Sequence, residues 1–246
     1  MKKGIMLILL LLLFASAVWA DDGSFVNPVY SPEFIEQQES KLLSIEKLFP
    51  RLLFTETFDT ATKPQVSKPE DGYYLSERVT RAGKRERIIS AYKPHEEGSG
   101  WGDAFFNRTG SYADFYMSIE GRIVERDDTG KGYLWIQYTD GDIVGKSSRS
   151  SVEVDFPVAI RKYVTRSGVR EYTTIYDLSD FRNDHEFHRL EVIRLDGYTS
   201  VFIDRRFAAG FEDGFSGRFY HVFGTGLEAG GHYVTGEFDN IMLRVK

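Results

Sequence analysis

Two acidic residues spaced two positions apart, Glu153 and Asp155, are the clearest candidates for chemistry in this chain. They lie in the segment SVEVDFPVAI, whose alternating polar and apolar residues predict a β-strand. Because residues i and i+2 of a strand share a face, both carboxylates would point one way, with Val152, Val154 and Phe156 packed behind them. Three interpretations remain open: a solvated strand face, a pair of ligand-binding groups in a groove, or a catalytic carboxylate pair.

A second predicted strand, GYLWIQYT, carries a polar and aromatic face. Its alternate positions are Tyr133, Trp135, Gln137 and Thr139. An aromatic ring beside amide and hydroxyl groups is typical of a sugar-binding groove, and the alternative is that Trp135 is a core residue. Trp101, which stands between two glycines, is expected in an exposed loop, and Arg108 and Tyr112 flank the same rim by sequence.

Other kinds of site lack support in the sequence. The five histidines show no His-x-x-x-His spacing, which argues against zinc. The chain has no cysteine, no glycine-rich phosphate loop and no Gly-x-Ser-x-Gly motif, so we expect no bound cofactor. Its formal net charge of −6 disfavours nucleic acid and anionic membrane surfaces as partners, because both require a basic surface.

The order of elements predicts an all-β fold. From Leu52 onward, about a dozen short strand-like segments follow one another, separated by hairpin-turn dipeptides such as Asp196-Gly197. The absence of a helical pattern among them predicts a two-sheet antiparallel jelly-roll sandwich over residues 52–246. We expect the first of these strands, TETF, to pair with the last, FDNIML.

One helix is predicted outside the sheets, at 31–49 within an N-terminal extension spanning 21–51. Ser31 can cap it, Pro32 occupies its first turn and Pro50 ends it. Its apolar stripe could pack on the flank of the domain or bind a protein partner.

Residues 1–20 resemble an export signal. Two lysines precede a short apolar run, and small residues before Asp21 form a cleavage site. The run is shorter than the ~20 residues that a membrane-spanning helix requires, so we expect a periplasmic or extracellular protein without membrane insertion after cleavage.

The order of several motifs resembles the concanavalin A-like lectin/glucanase superfamily, including its laminarinase-like and 3-keto-disaccharide hydrolase-like domains. The motifs are LFTETFDT near the start, YADFYMSIEGRI, FHRLEV, VFID and the closing FDNI. Arg205 departs from the pattern, because glycine usually follows the VFID element. The resemblance spans 52–246 and implies a jelly-roll fold with carbohydrate as the usual ligand.

The resemblance also implies what a catalytic strand would contain. Laminarinase-like members carry Glu-x-Asp-x-x-Glu, and Glu153 and Asp155 match the first two acids, whereas Val158 replaces the third. Retaining hydrolysis needs a second carboxyl group about 5–5.5 Å from the nucleophile, and Glu120 on another strand is one candidate.

Many superfamily members hold a structural calcium ion where the first and last strands meet. The resemblance nominates Asp239 and Glu56 as oxygen ligands. The alternative is that Asp239 binds backbone amides at the start of its strand.

Together these observations predict an exported, lectin-like carbohydrate-binding protein without laminarinase-type activity. The alternatives are a glycoside hydrolase with a rearranged active site and a structural protein of the cell envelope.

Overall fold

The computed structural model describes residues 18–19, 25–56, 73–79, 85–94, 101–106, 111–126, 131–140, 149–167, 169–181, 184–228 and 233–246. For 18–19, 56, 73–79, 85–94, 101–106 and 149, it describes the backbone. The predicted signal peptide, apart from Val18 and Trp19, and Arg108 lie outside the described residues. Among the helices that are described, none is long and apolar enough to cross a membrane.

The described elements are two helices and sixteen strands. The N-terminal part contains β1 (Val18–Trp19), β2 (Phe25–Val26), α1 (Pro32–Leu42), α2 (Ile45–Leu48) and β3 (Arg51–Glu56). The middle contains β4 (Tyr73–Val79), β5 (Arg85–Pro94), β6 (Trp101–Phe106), β7 (Phe115–Arg126), β8 (Gly132–Thr139), β9 (Arg149–Phe156) and β10 (Ala159–Arg166). The last part contains β11 (Val169–Asp177), β12 (His188–Leu195), β13 (Tyr198–Ile203), β14 (Arg206–Glu212), β15 (Tyr220–Leu227) and β16 (Tyr233–Val245).

Two large antiparallel sheets form the predicted sandwich. Sheet A has six strands in the order β11-β10-β9-β8-β15-β6. Sheet B has eight, in the order β14-β13-β12-β7-β16-β5-β4, with β3 also paired to β16. Glu56 is the register partner of Ile241 and Thr55 that of Met242, so the predicted pairing of the first and last strands of the domain is confirmed.

The core lies between the two sheets. Alternate residues of β8 and β9 point into it, including Leu134, Ile136, Val152 and Val154, and meet inward-facing residues of sheet B such as Ile119. The alternation predicted from the sequence is therefore correct for both strands. Consequently, Trp135, Glu153 and their same-face neighbours lie on the outer face of sheet A.

The predicted single helix is broken into two. At Leu43 and Ser44 the backbone N–H groups donate to Ser40 O and Lys41 O, three residues back, and this tight turn interrupts the α-helical pattern. The break leaves Leu43 84% exposed while Leu42, Ile45 and Phe49 remain buried.

Both helices pack on the outer face of sheet B. Leu42, Ile45 and Phe49 form one buried cluster with Tyr116, Ile193 and Phe202 of the sheet. The helical stripe that could have bound a partner is thus occupied by the protein's own sheet, and the position outside the sheets is confirmed.

The segment before α1 lies along the edge strands of both sheets. Asn27 donates from Nδ2 to Asp177 O at 2.9 Å and accepts from Asp177 N at 2.6 Å, which satisfies the last backbone groups of β11. Tyr30 donates to Gly210 O on β14 at 3.2 Å and packs edge-on against Phe207. These contacts place Phe25 beside one end of sheet A.

Candidate functional site

The register of sheet A brings the predicted polar residues together on its outer face. Trp135 is the register partner of Asp155, and Gln137 is that of Glu153. On the next strand, Arg161 is the register partner of Glu153. Four of the residues nominated from the sequence therefore form one continuous patch with Arg161.

This patch is buried rather than solvated. Glu153 is 5% exposed and Asp155 is fully buried, so the interpretation as a solvated strand face is wrong. Trp135 is also 5% exposed and packs in a cluster with Tyr133 and Val222. The alternative that Trp135 is a packing residue is correct, although it packs outside sheet A and not between the sheets.

A glycine makes room for this cluster. A Cβ atom on Gly226 would lie 2.6 Å from the Tyr133 ring, so β15 must present backbone alone at this point. The Tyr133 ring can consequently lie close to the backbone of β15, in the same cluster as Trp135.

Each of the two carboxylates has an arginine partner. Arg170 and Gln137 both donate to Glu153 Oε1. Arg161 donates from Nη1 to Asp155 Oδ2 at 2.9 Å and from Nη2 to Glu228 Oε1 at 2.5 Å. Both carboxylates are therefore held in place by hydrogen bonds from neighbouring strands of the same sheet face.

Burial and neighbouring carboxylates raise the pKa of three groups on this face. Burial, and then the charge of Glu153, raise the pKa of the Asp155 carboxyl well above its usual range, while Arg161 opposes the shift. Burial and the same two carboxylates raise the pKa of the Tyr133 and Tyr163 phenols. A raised pKa favours the neutral form of both phenols.

Near the edge strand, the face becomes an accessible surface of rings and guanidinium groups. The Arg170 guanidinium lies 3.7 Å from the centre of the Tyr163 ring, and that of Arg161 lies 5.3 Å from the Tyr172 ring. The two rings are 5.6 Å apart, and Tyr172 is 61% exposed. A flat exposed ring held by charged neighbours is a surface on which a sugar ring can stack.

A cavity of about 540 Å³, called the end cavity below, opens at the end of sheet A that contains the β9–β10 turn. Its lining residues are Phe25, Arg126, Lys131, Pro157, Val158, Ala159, Arg161, Thr174, Asp177, Ser179, Phe181 and Glu228. It is joined to the buried patch through Arg161, which contacts Asp155, and through Val158, which packs against the Trp135 cluster. Its size falls within the range of small-molecule sites.

The other nominated residues do not join this patch. Trp101 is the first residue of β6 and the register partner of Gly226, so the loop predicted at that position is wrong. Tyr112 bridges to Phe219, packs against the inter-sheet core, and its ring lies 5.4 Å from the Arg51 guanidinium. Glu120 lies on the outer face of sheet B, where Asn240 donates to it at 2.7 Å. Both sheets thus separate Glu120 from Glu153, and its nomination as the missing acid is wrong.

The proposed calcium ligands meet only in part. Glu56 is the register neighbour of Ile241, two residues beyond Asp239, and Asp239 accepts from the Asn240 N–H at 2.8 Å. Within the part of the chain that the structure describes, no three acidic or histidine side chains form a group that could hold a metal ion. Because the Glu56 side chain is outside that part, calcium binding stays a prediction.

Sequence reasoning did not nominate Arg161, Arg170, Tyr163, Tyr172 or Glu228. A signal was present for four of them, because AIRKYVTR and VREYTT place a basic and an aromatic residue two positions apart. Two adjacent strands with that alternation indicate interleaved rings and guanidinium groups on one face.

Sequence comparison finds no relatives: no family model matches the chain, and no curated protein matches it. Solved structures do match. A glucuronan lyase from the fungus Trichoderma reesei superposes with a TM-score of 0.56 at 11% identity, over 80% of this chain and 96% of that one. An endo-acting O-glycanase expressed by human gut microbiota superposes at 0.51 and 12% identity, over 80% and 100% of the two chains.

A glycoside hydrolase family 16 endo-glucanase from Bacteroides ovatus superposes at a TM-score of 0.46 and 12% identity, over 77% of this chain and 93% of that one. At such identities a match establishes the arrangement of strands and nothing about the site. The chain has the two-sheet jelly-roll fold of these structures, and the fold that its sequence motifs implied is confirmed.

Proposed function

We propose that this is an exported protein that binds carbohydrate on the outer face of sheet A, without laminarinase-type hydrolysis. The observation that carries the proposal is the exposed Tyr172 ring, which lies beside Tyr163 and two stacked arginines. The end cavity continues this surface with hydroxyl, charged and aromatic side chains. The solved structures with the same fold include a glucuronan lyase and an O-glycanase, which supports a glycan as the ligand.

The pairing of both carboxylates with arginine favours binding over hydrolysis. A retaining glycosidase needs one carboxylate free to attack and a second carboxyl group across the bond to donate a proton. Here Arg170 and Gln137 engage Glu153, and Arg161 engages Asp155.

A glycan array tests the proposal, with the purified protein compared with its Tyr172→Ala variant. Loss of one stacking contact worth about 1.4 kcal/mol would weaken binding roughly tenfold. Glu171→Ala is the matched control, because Glu171 is exposed on the opposite face of the same strand. Absence of binding to every glycan would refute the proposal and favour a structural role in the cell envelope.

Hydrolysis is a second candidate function, favoured by one observation. Burial and the charge of Glu153 raise the pKa of the Asp155 carboxyl, and a carboxyl group with a raised pKa beside a second carboxyl group is a common feature of acid–base catalysis. Release of reducing sugar from polysaccharides, abolished by Glu153→Gln, would establish it and overturn the non-catalytic proposal.

Export is tested separately by mass spectrometry of the mature N-terminus. We expect the chain to begin at Asp21. A retained Met1 would contradict the predicted signal peptide.

A further inference from the structure

Charged side chains of both signs line the end cavity. Three cations and two acids line it: Arg126, Lys131, Arg161, Asp177 and Glu228. Arg161 is shared with Asp155 of the adjoining patch, where Glu153 and Arg170 form a further ion pair. The cavity and patch together therefore contain four cationic and four acidic side chains, and three of the acids, Asp155, Glu228 and Glu153, are already paired with an arginine.

The cavity wall offers hydrogen-bond donors and acceptors side by side. Arg161 donates to Glu228 at 2.5 Å, and the side chains of these residues are 13% and 34% exposed. Thr174 and Ser179 add hydroxyl groups to the same cavity. A sugar hydroxyl, which both donates and accepts, can bind to such a wall, whereas a carboxylate can only accept.

Three buried polar atoms of Arg161 and the adjoining patch lack a hydrogen-bond partner within the part of the chain that the structure describes. Trp135 Nε1, Arg161 Nε and Asp155 Oδ1 have no hydrogen-bond partner in the described structure. They are two donors and one carboxyl oxygen, on three neighbouring strands. Buried polar atoms are normally satisfied, and of these three only Arg161 Nε belongs to a residue that lines the cavity.

The remaining walls are apolar and suit the faces of a sugar ring. Phe25, Phe181 and Val158 line the cavity. Phe25 follows the predicted cleavage site before Asp21, so it is retained after export. Aromatic walls around a few polar groups are the usual composition of a small-molecule site.

We infer that the end cavity binds a neutral sugar residue of the glycan, whose hydroxyl groups are recognised by the Arg161–Glu228 pair. The inference rests on the proposed function and adds to it a binding subsite and a ligand class. It predicts that a carboxylated sugar, which would have to compete with Asp155 and Glu228 for the Arg161 guanidinium, binds less well.

The test measures binding of the purified protein to neutral polymers, namely β-glucan, galactan, mannan and fructan, each beside a carboxylated derivative of the same polymer. We expect binding to at least one neutral polymer and at least roughly tenfold weaker binding to its carboxylated form. The variant Ser179→Trp fills the cavity from an exposed turn and should weaken binding by a similar factor. Asp180→Trp is the control, because Asp180 is exposed in the same turn and does not line the cavity.

The outcomes separate this inference from the proposed function. Equal or tighter binding of the carboxylated polymers would overturn the inference, and so would unchanged binding by Ser179→Trp. If Tyr172→Ala still weakens binding in either case, the proposed function stands without the cavity. No binding to any polymer would refute both.

Discussion

Arg161 donates to Asp155 at 2.9 Å and to Glu228 at 2.5 Å, so one guanidinium group joins a fully buried carboxyl group to the rim of a cavity. Arg161 thereby connects a buried residue of the outer face of sheet A to the surface that we propose binds the ligand. Changes at Arg161 should affect stability as well as binding.

Arg161→Met should lower the free energy of unfolding by about 3 kcal/mol at neutral pH, because Asp155 would be buried without its cation. The loss should be smaller in acid. The folded-state pKa of Asp155 is already raised, and it would rise further in the variant, so stability would fall as pH increases. Urea denaturation at two pH values measures the effect.

The double variant Arg161→Met/Asp155→Asn is the control for this prediction. Without a carboxylate to be left unpaired, it should lose less stability at neutral pH than Arg161→Met alone. Equal losses in the two variants would show that Arg161 stabilises the fold through contacts other than the ion pair.

The sequence was sufficient to predict which face of its strand each residue occupies. It was not sufficient to predict which residues of other strands that residue contacts. Alternation placed Trp135 and Glu153 on the same side of their strands as the structure does. The pairing of Glu153 with Arg170 required the order β8-β9-β10-β11, which depends on contacts distant in sequence.

The sequence also could not predict that the outer face of sheet A is buried around Trp135. A strand with one face in the core and a strand buried on both faces can show the same period of two, so Trp135 could not be assigned. Likewise, the alternation along its strand predicts that Glu120 faces away from the core. Only the assignment of β7 to sheet B shows that it lies on the outer face of sheet B and not of sheet A.

Trp135→Ala and Tyr172→Ala should differ in stability although both remove an aromatic ring from the same sheet face. Trp135 is 5% exposed, so its loss should cost about 3–5 kcal/mol. Tyr172 is 61% exposed, so its loss should cost no more than about 1 kcal/mol. Thermal melts of the two variants measure the difference, and similar melting temperatures would contradict the burial of Trp135.

Phe49→Ala tests whether the helical extension is an integral part of the domain. Phe49 is fully buried in the cluster between α2 and sheet B, so truncation should cost about 3–5 kcal/mol. Leu43→Ala is the control, since Leu43 is 84% exposed and should matter little. Equal melting temperatures for wild type and Phe49→Ala would show that the extension is a detachable arm, free for a partner.

His221 should weaken the fold in acid. It is buried against Phe115, and burial lowers its pKa from 6.5 to about 3. The unfolded chain takes up a proton below pH 6.5 while the folded chain does not, so stability falls as pH drops between these values. His221→Phe should reduce the slope of stability against pH by up to about 1.4 kcal/mol per pH unit in this window. Parallel curves for the two proteins would contradict a neutral buried imidazole.

The pH dependence of the stability contributed by His188 should have the opposite sign. Its Nδ1 lies 2.8 Å from Asp204 Oδ2 and its Nε2 lies 3.0 Å from Asp184 Oδ1, so the ring joins the end of one loop to the β13–β14 turn. Burial lowers the pKa of His188, but the hydrogen bonds to Asp204 and Asp184 outweigh it and raise the pKa above 6.5.

A raised folded-state pKa means that the contribution of His188 is fully present below pH 6.5 and is lost as pH rises through the higher value. His188→Gln should therefore destabilise the protein more at about pH 5.5 than at about pH 9. In an Asp184→Asn background the difference should shrink, because one of the two carboxylates that hold the proton is gone. Denaturation curves for the four proteins at both pH values measure these effects. A loss from His188→Gln that is the same at both pH values would show that the imidazole contributes by packing against Phe156, whose ring centre is 4.9 Å away, and not by its charge.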